Sequence, residues 1–265
     1  NTGFELEVRS ANIDNKNFTW TSTFMMTHNK NKVLKLADVP QYFTGNYYVA
    51  KEGYSLGTIC LREYAGVDPE NGLPMYYSNV EKDGVRSREK VYDPNNAVMV
   101  PLENIYPTVS GSIGNTFRYK YFDLMFNLTY SLGGHSYDDA MWALQDDGKS
   151  ATAPKSIELR RRWQKPGDQT DIPRYVYGQN YGGWWHSSRG IHSTDHLRLK
   201  SLVLGVNAPD SWIKKLGLSR ARVYFSGSNL LTWAKYTQYD PELMGTVGFE
   251  IPPLKTFSFG LEIGL

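Results

Sequence analysis

From Thr256 to the end of the chain, Phe257, Phe259, Leu261, Ile263 and Leu265 alternate with Ser258, Gly260, Glu262 and Gly264. An unbroken period of two is the pattern of a strand with one apolar face. Phe122, Leu124, Phe126, Leu128, Tyr130 and Leu132 repeat it opposite Asp123, Met125, Asn127, Thr129 and Ser131. Shorter matches run through Phe4, Leu6 and Val8, through Phe18, Trp20, Phe24 and Met26, and through Val109, Ile113, Phe117 and Tyr119. Between Ala221 and Asn229, Val223 and Phe225 stand against Tyr224, Ser226 and Ser228. Asp195 to Val206 is the imperfect one, because Arg198 and Lys200 share parity with Leu202 and Leu204. A bulge or a change of environment along that strand would account for the break. The pattern predicts seven strands, several of them longer than the usual five or six residues and close to the nine to eleven that cross a bilayer.

The segments between strands sort into two kinds. Ala11 to Lys16, Tyr119 to Tyr121 and Ala208 to Gly217 are short; Asn29 to Tyr106, Gly133 to Thr194 and Leu230 to Lys255 are long. Short and long alternate, as in outer-membrane barrels with short periplasmic turns and long extracellular loops. A soluble sandwich has one-sided strands too, but no reason to gather its loops at one end. The expectation is an all-β antiparallel transmembrane barrel segment, with the C-terminus on the short-turn side. Seven is odd and bacterial single-chain barrels are even. An eighth strand within Tyr54 to Tyr64 would break the loop parity, so a C-terminal part of a larger barrel is expected.

Composition fits this picture. The 265 residues contain 14% aromatics and carry a formal charge of +2, too near neutral for a nucleic-acid surface. Mean hydropathy is −0.49, low for a helical membrane protein but consistent with strands apolar on one side only. No apolar run reaches a helical span, and Asn1-Thr2-Gly3-Phe4-Glu5 has neither the basic nor the apolar region of a signal peptide. Cys60 is the single cysteine, which excludes an internal disulfide and any multi-cysteine zinc site.

The long segments hold the candidate chemistry. Asp240 with Glu242, or Asp168 with Asp171, could be set as a glycosidase pair, which needs carboxyls about 5 to 9.5 Å apart. Their Asp-Pro and Gly-Asp settings favour carboxylates that hold turns instead. Asp168 and Asp171 lack the ligand density of a calcium loop, and His192 and His196 lead into a strand that keeps them apart. No catalytic residue, metal site or cofactor is assigned. Trp184 and Trp185, after Gly182-Gly183, suit contact with a ligand or partner as well as packing within their loop. Lys155 to Trp163 is a short helical candidate.

Several motifs resemble those of SusC-like TonB-dependent outer-membrane transporters. They are Asn29 to Val33, Ala65-Gly66-Val67-Asp68-Pro69-Glu70-Asn71-Gly72, Trp163 to Asp168 with Asp171 and Pro173, Leu197-Arg198-Leu199-Lys200, Asn229-Leu230-Leu231-Thr232, and Asp240-Pro241-Glu242. The resemblance implies about seven strands of a 22-stranded barrel, with the plug and earlier strands outside residues 1–265. Leu265 departs from the aromatic residue that commonly ends the family. The resemblance also implies a non-enzymatic transporter in the outer membrane of a Gram-negative bacterium. It would import oligosaccharides or peptides, driven by the TonB complex through segments beyond this sequence, beneath a SusD-like lipoprotein lid. Asp68, Tyr76, Tyr77, Tyr181, Trp184, Trp185, His186, Asp240 and Glu242 are the residues expected to meet ligand or lid. The alternative is a soluble or surface β-sandwich that binds glycans.

Overall fold

A computed structural model describes residues 1–150, 152–178 and 186–265. Seven long strands form one sheet: β1 (Thr2–Asp14), β2 (Phe18–Lys30), β3 (Val109–Tyr119), β4 (Phe122–Leu132), β5 (His196–Asn207), β6 (Arg220–Ala234) and β7 (Thr256–Gly264). They lie side by side in chain order, every neighbour antiparallel. All seven are the segments expected from periodicity. β1 and β6 run further than expected: β1 reaches Asp14 past a register shift between Ala11 and Ile13, and β6 continues to Ala234.

The registers place the apolar sets on one face. Leu6 meets Met26, Phe24 meets Ile113, Ile113 meets Leu128, Leu204 meets Phe225, and Phe225 meets Phe259. The parity break in β5 is a bulge. Leu199 pairs with Leu128 and Ser201 with Asn127, so Lys200 is the extra residue and Arg198 falls on the polar face. Opposite it, β6 accommodates Asn229 and Leu230 between Ser228 and Leu231, with Asn229 at φ +52°. Leu230 then folds against Gly227, where a Cβ would lie 2.8 Å from it, and fills the apolar face at a glycine position. A polar pair interrupts that face: Asn115 accepts hydrogen bonds from Trp20 Nε1–H (2.9 Å) and from the hydroxyl of its cross-strand neighbour Ser22 (2.7 Å), which satisfies it internally.

The apolar face has no second layer among the described residues. Phe259 is 83% and Leu261 65% exposed. A sandwich would cover this face with another sheet; here it stays open, as does one edge each of β1 and β7.

The long connections fold at one end of the sheet. In residues 31–108, Gln41–Phe43, Tyr48–Lys51, Thr58–Arg62 and Met99–Asn104 form a four-stranded sheet, and Tyr64–Val67, Pro74–Tyr77 and Lys90–Val91 a three-stranded one. The candidate eighth strand is therefore Thr58–Arg62, outside the main sheet. In residues 133–195, helix α1 (Asp139–Leu144) follows the strand His135–Asp138, and Ile157–Arg161 make a turn of 3-10 helix within the expected helical stretch. His135–Asp138 pairs with Ile191–Ser193 on one side and with Gly245–Val247 of the third connection on the other. Tyr47, Ile59, Leu61 and Tyr137 form the buried core that binds the first two connections together.

Candidate functional site

The three long connections make a cap over one end of the sheet, and most residues marked for ligand or lid contact lie in it. Its first part joins two motifs far apart in sequence. Asp68 accepts hydrogen bonds from the Glu70 N–H (2.9 Å), Asn71 Nδ2 (2.7 Å) and the Tyr92 hydroxyl (2.6 Å). The Tyr92 hydroxyl above all, with the Glu70 amide, holds its carboxyl below the usual carboxylate range. The turn it shapes offers the Pro69 carbonyl to Trp163 Nε1 (2.9 Å) and to the Gly167 N–H (2.8 Å). Gly72, at φ +74°, packs under the Trp163 ring, where a Cβ would come within 2.5 Å. Asp168 in turn accepts from the Gln164 and Lys165 amides. These carboxylates hold turns, as their Asp-Pro and Gly-Asp settings predict.

A second junction sets the third connection against the polar face of the sheet. Arg198, only 2% exposed, aims Nη2 at Asp240 Oδ2 (2.6 Å), Nη1 at Glu242 Oε2 (3.0 Å) and Nε at the Thr232 hydroxyl (3.1 Å). Lys200 on the bulge reaches Glu242 at 2.8 Å. Asp240 also accepts from the Glu242 N–H, closing the Asp-Pro-Glu turn. Nε and Nη2 are hydrogen-bonded, while Nη1 has only the ion-pair approach to Glu242; two carboxylates beside it make the buried guanidinium tolerable. Beside it lies a cleft of about 380 Å³ bordered by Thr232, Tyr236, Tyr239, Glu250 and Pro252.

A third junction is built on Asp138. It caps α1 by accepting from the Met141 N–H (2.8 Å) and accepts from the Tyr236 hydroxyl (2.5 Å). Burial raises its carboxyl above the ordinary range despite those two hydrogen bonds. His192 lies flat on Tyr236, ring centres 3.7 Å apart, and burial lowers its imidazole to about 4. Arg189 and Asp147 form a further buried pair at 3.2 Å, both side chains 2% exposed.

The remaining expected contact residues are spread out. Tyr77 carries the Arg88 guanidinium 3.5 Å above its ring, and Arg88 is held by Glu63 at 2.6 and 2.9 Å. Tyr76 has no exposed surface and stacks edge-on with Tyr64, so it supports the cap from within and presents nothing to a ligand. His186 meets Tyr47 edge-on, and burial lowers its imidazole. Tyr181, Trp184 and Trp185 lie outside the described residues. The arrangement does not single out a nucleophile with a base. Asp240 and Glu242 are both engaged by Arg198, Asp240 at the edge of the cleft, and His192 and His196 go to separate contacts, His196 Nδ1 to the Thr194 carbonyl. Sequence reasoning missed Arg198, Asp138, Tyr236 and Arg189 as organising residues. Only Arg198 had a signal, the broken parity of β5.

No protein-family model matches the chain. Similarity to known proteins nevertheless runs along nearly all of it. TonB-dependent receptor P3 of Formosa agariphila is 29% identical over 99% of the chain. TonB-dependent receptor SusC of Bacteroides thetaiotaomicron is 25% identical, also over 99%. The chain spans 28% and 26% of those two relatives' lengths. Among solved structures, the RagAB peptide transporter has the same fold, with a TM-score of 0.86 at 22% identity, covering 99% of this chain and 29% of that one. RagAB in its closed-closed state gives 0.87. The resemblance carried by the motifs is thereby shown: the chain is SusC-like, similar along its length to TonB-dependent receptors.

Proposed function

We propose that the chain is the C-terminal part of a SusC-like transporter barrel in the outer membrane of a Gram-negative bacterium. There it serves TonB-dependent import of oligosaccharides or peptides under a SusD-like lipoprotein lid. The observation that carries this reading is the sheet itself. Seven long strands hold one continuous apolar face open, a polar face opposite it, and all long connections at one end. An exposed apolar patch of this extent is normal against lipid and a liability in water. The open edges of β1 and β7 fit pairing with the remaining strands of the barrel, because unpaired backbone groups in lipid cost several kcal/mol each. The polar face then lines the lumen opposite the plug, and the cap sits at the extracellular mouth.

In this reading the cap meets lid and ligand through Asp68, Tyr77, Tyr181, Trp184, Trp185, His186, Asp240 and Glu242, with Tyr76 beneath them. The structural neighbour RagAB is a peptide importer, which favours peptide among the two substrate classes. The relatives are receptors and transporters, consistent with a non-enzymatic role. The sandwich alternative needs a covering sheet, and the described residues form none over this face.

The test is purification of the intact transporter from its own membrane. It should leave the membrane only with detergent and carry a peptide or oligosaccharide identifiable by mass spectrometry. Release by salt alone would overturn the placement, and hydrolysis of a bound glycan would overturn the non-enzymatic role.

A further inference from the structure

The apolar face becomes a groove at one point, at the end opposite the cap. The connection between β5 and β6 is not a plain turn: after Pro209 it forms a short helix, α2 (Asp210–Lys215). The helix turns Trp212 toward the apolar side of the sheet. There Trp212 and Pro209 enclose, with Phe122, Val206, Val223 and Leu261, an almost wholly apolar groove of about 410 Å³. Trp212 is 63% and Leu216 70% exposed, so nothing within the described residues covers them. The groove is continuous with the open face, since Phe122, Val206, Val223 and Leu261 belong to its cross-strand rows.

Unpaired charge at the exposed rim of the groove is mostly positive. Lys214 and Lys215 are exposed at the end of α2, Lys120 lies next to the groove residue Tyr121, and Lys16 is in the neighbouring turn. None of these four lysines has a carboxylate partner among the described residues. Against them the rim sets Asp14 and Asp210, while Asp123 and Glu262 are taken up by Arg222, which also lines the groove. An apolar slot opening into the hydrocarbon, under an exposed tryptophan and beside two lysines, has the chemistry of a lipid site: chain below, anionic headgroup above.

We infer that this groove holds an acyl chain of an anionic phospholipid of the periplasmic leaflet, with Lys214 and Lys215 on its phosphate. The inference rests on the reading of the strands as membrane-spanning. That reading places the short connections, and therefore α2, on the periplasmic side, away from the cap.

The intact transporter is tested in mild detergent by native mass spectrometry, titrated with phosphatidylglycerol or with phosphatidylcholine. Phosphatidylglycerol should stay bound in clear preference. Lys214→Gln with Lys215→Gln should lower that preference by about fivefold for each lysine removed. Val206→Trp, which fills the groove, should abolish retention of both lipids while the double glutamine variant still holds the neutral one. Equal binding of the two lipids by the parent, or an unchanged preference in the double variant, would overturn the inference. Retention of a peptide in place of lipid would do the same. The membrane reading is checked separately in vesicles of phosphatidylethanolamine and phosphatidylglycerol with brominated chains. Phe126→Trp should add fluorescence that bromine quenches. If it does while lipid preference is absent, the groove assignment fails and the barrel stands; if that added fluorescence is not quenched, both fail.

Discussion

The sheet and the cap are built on opposite terms. In the sheet, neighbours in space are neighbours in sequence order, and the apolar side chains stay exposed: Phe257, Phe259, Leu261 and Ile263 are all open. The cap has an apolar interior of its own, although Leu34, Phe249 and Ile251 on its surface are exposed. Ile59, Leu61 and Tyr137 have no exposed surface, and charged groups such as Arg198, Asp147 and Arg189 are buried in pairs. The cap therefore carries its own water-stable core, whereas the sheet carries a face that needs another phase against it. A wall suited to lipid and a mouth suited to water meet in one chain, and Arg198 sits at their junction: its backbone belongs to β5 and its guanidinium holds the third connection.

The largest expected effect breaks that junction. Arg198→Met leaves the buried Asp240 without its cation and Glu242 with Lys200 alone, and should cost about 3 to 5 kcal/mol, because loss of one partner strands the other. Limited proteolysis should then cleave within residues 235–255 while the strands stay protected. Global unfolding with no preferential cleavage there would show that the wall depends on the cap, against the division drawn above. Next in size is the contrast between two adjacent positions of β4. Phe126→Arg on the apolar face should destabilise the barrel by about 2 to 4 kcal/mol near the bilayer midplane, and Asn127→Arg on the polar face much less. Equal losses in a folding titration into lipid would refute the assignment of faces.

The wall was legible because a two-residue period needs only local sequence. Its irregularity was half readable: the shared parity of Arg198, Lys200, Leu202 and Leu204 called for a bulge or a change of environment, and the structure shows a bulge at Lys200. Helix α2 was not legible, since six residues containing Trp212 and Lys214 look the same as a polar turn with one stray aromatic. The cap was legible in its pieces and not in their assembly. Asp68 and Asp168 read correctly as turn carboxylates, because an Asx turn is settled within a few residues. That Trp163 would close over Gly72, or that Tyr236 would reach Asp138 across 98 residues, depends on long-range packing with no sequence period. The cost of that ignorance is visible at Tyr76, whose aromatic character suggested contact and whose position is the interior.

Two smaller effects test whether the cap is as tightly specified as this description requires. Gly72→Ala places a Cβ against the Trp163 ring at a positive φ and should destabilise the cap by about 1 to 3 kcal/mol. Hydrogen exchange at the Gly167 amide should rise, since Trp163 and that amide share the Pro69 carbonyl. An unaffected amide would mean that the two motifs touch without supporting each other.

The smallest concerns acid. Burial lowers His192 from its ordinary value near 6.5 to about 4, so the folded cap takes up this proton later than the unfolded chain does. The unfolded state binds more protons in that interval, and stability must fall as pH drops from about 6.5 toward 4, levelling off below. Loss of the flat stack on Tyr236 is the structural counterpart, because a charged imidazole there would sit unsolvated beside a hydroxyl committed to Asp138. Asp138 opposes part of the effect. Its raised carboxyl makes the folded state the better proton acceptor just above the usual carboxylate range, which favours the fold as pH falls through that window. Ring resonances of His192, followed by NMR on the intact transporter, should show no protonation until near pH 4. In His192→Gln the acid sensitivity between pH 6.5 and 4 should shrink while the wall's stability stays where it was. A His192 that titrates near 6.5 would mean that the third connection opens freely from the second. The cap would then be separate loops lying over the mouth rather than one packed unit.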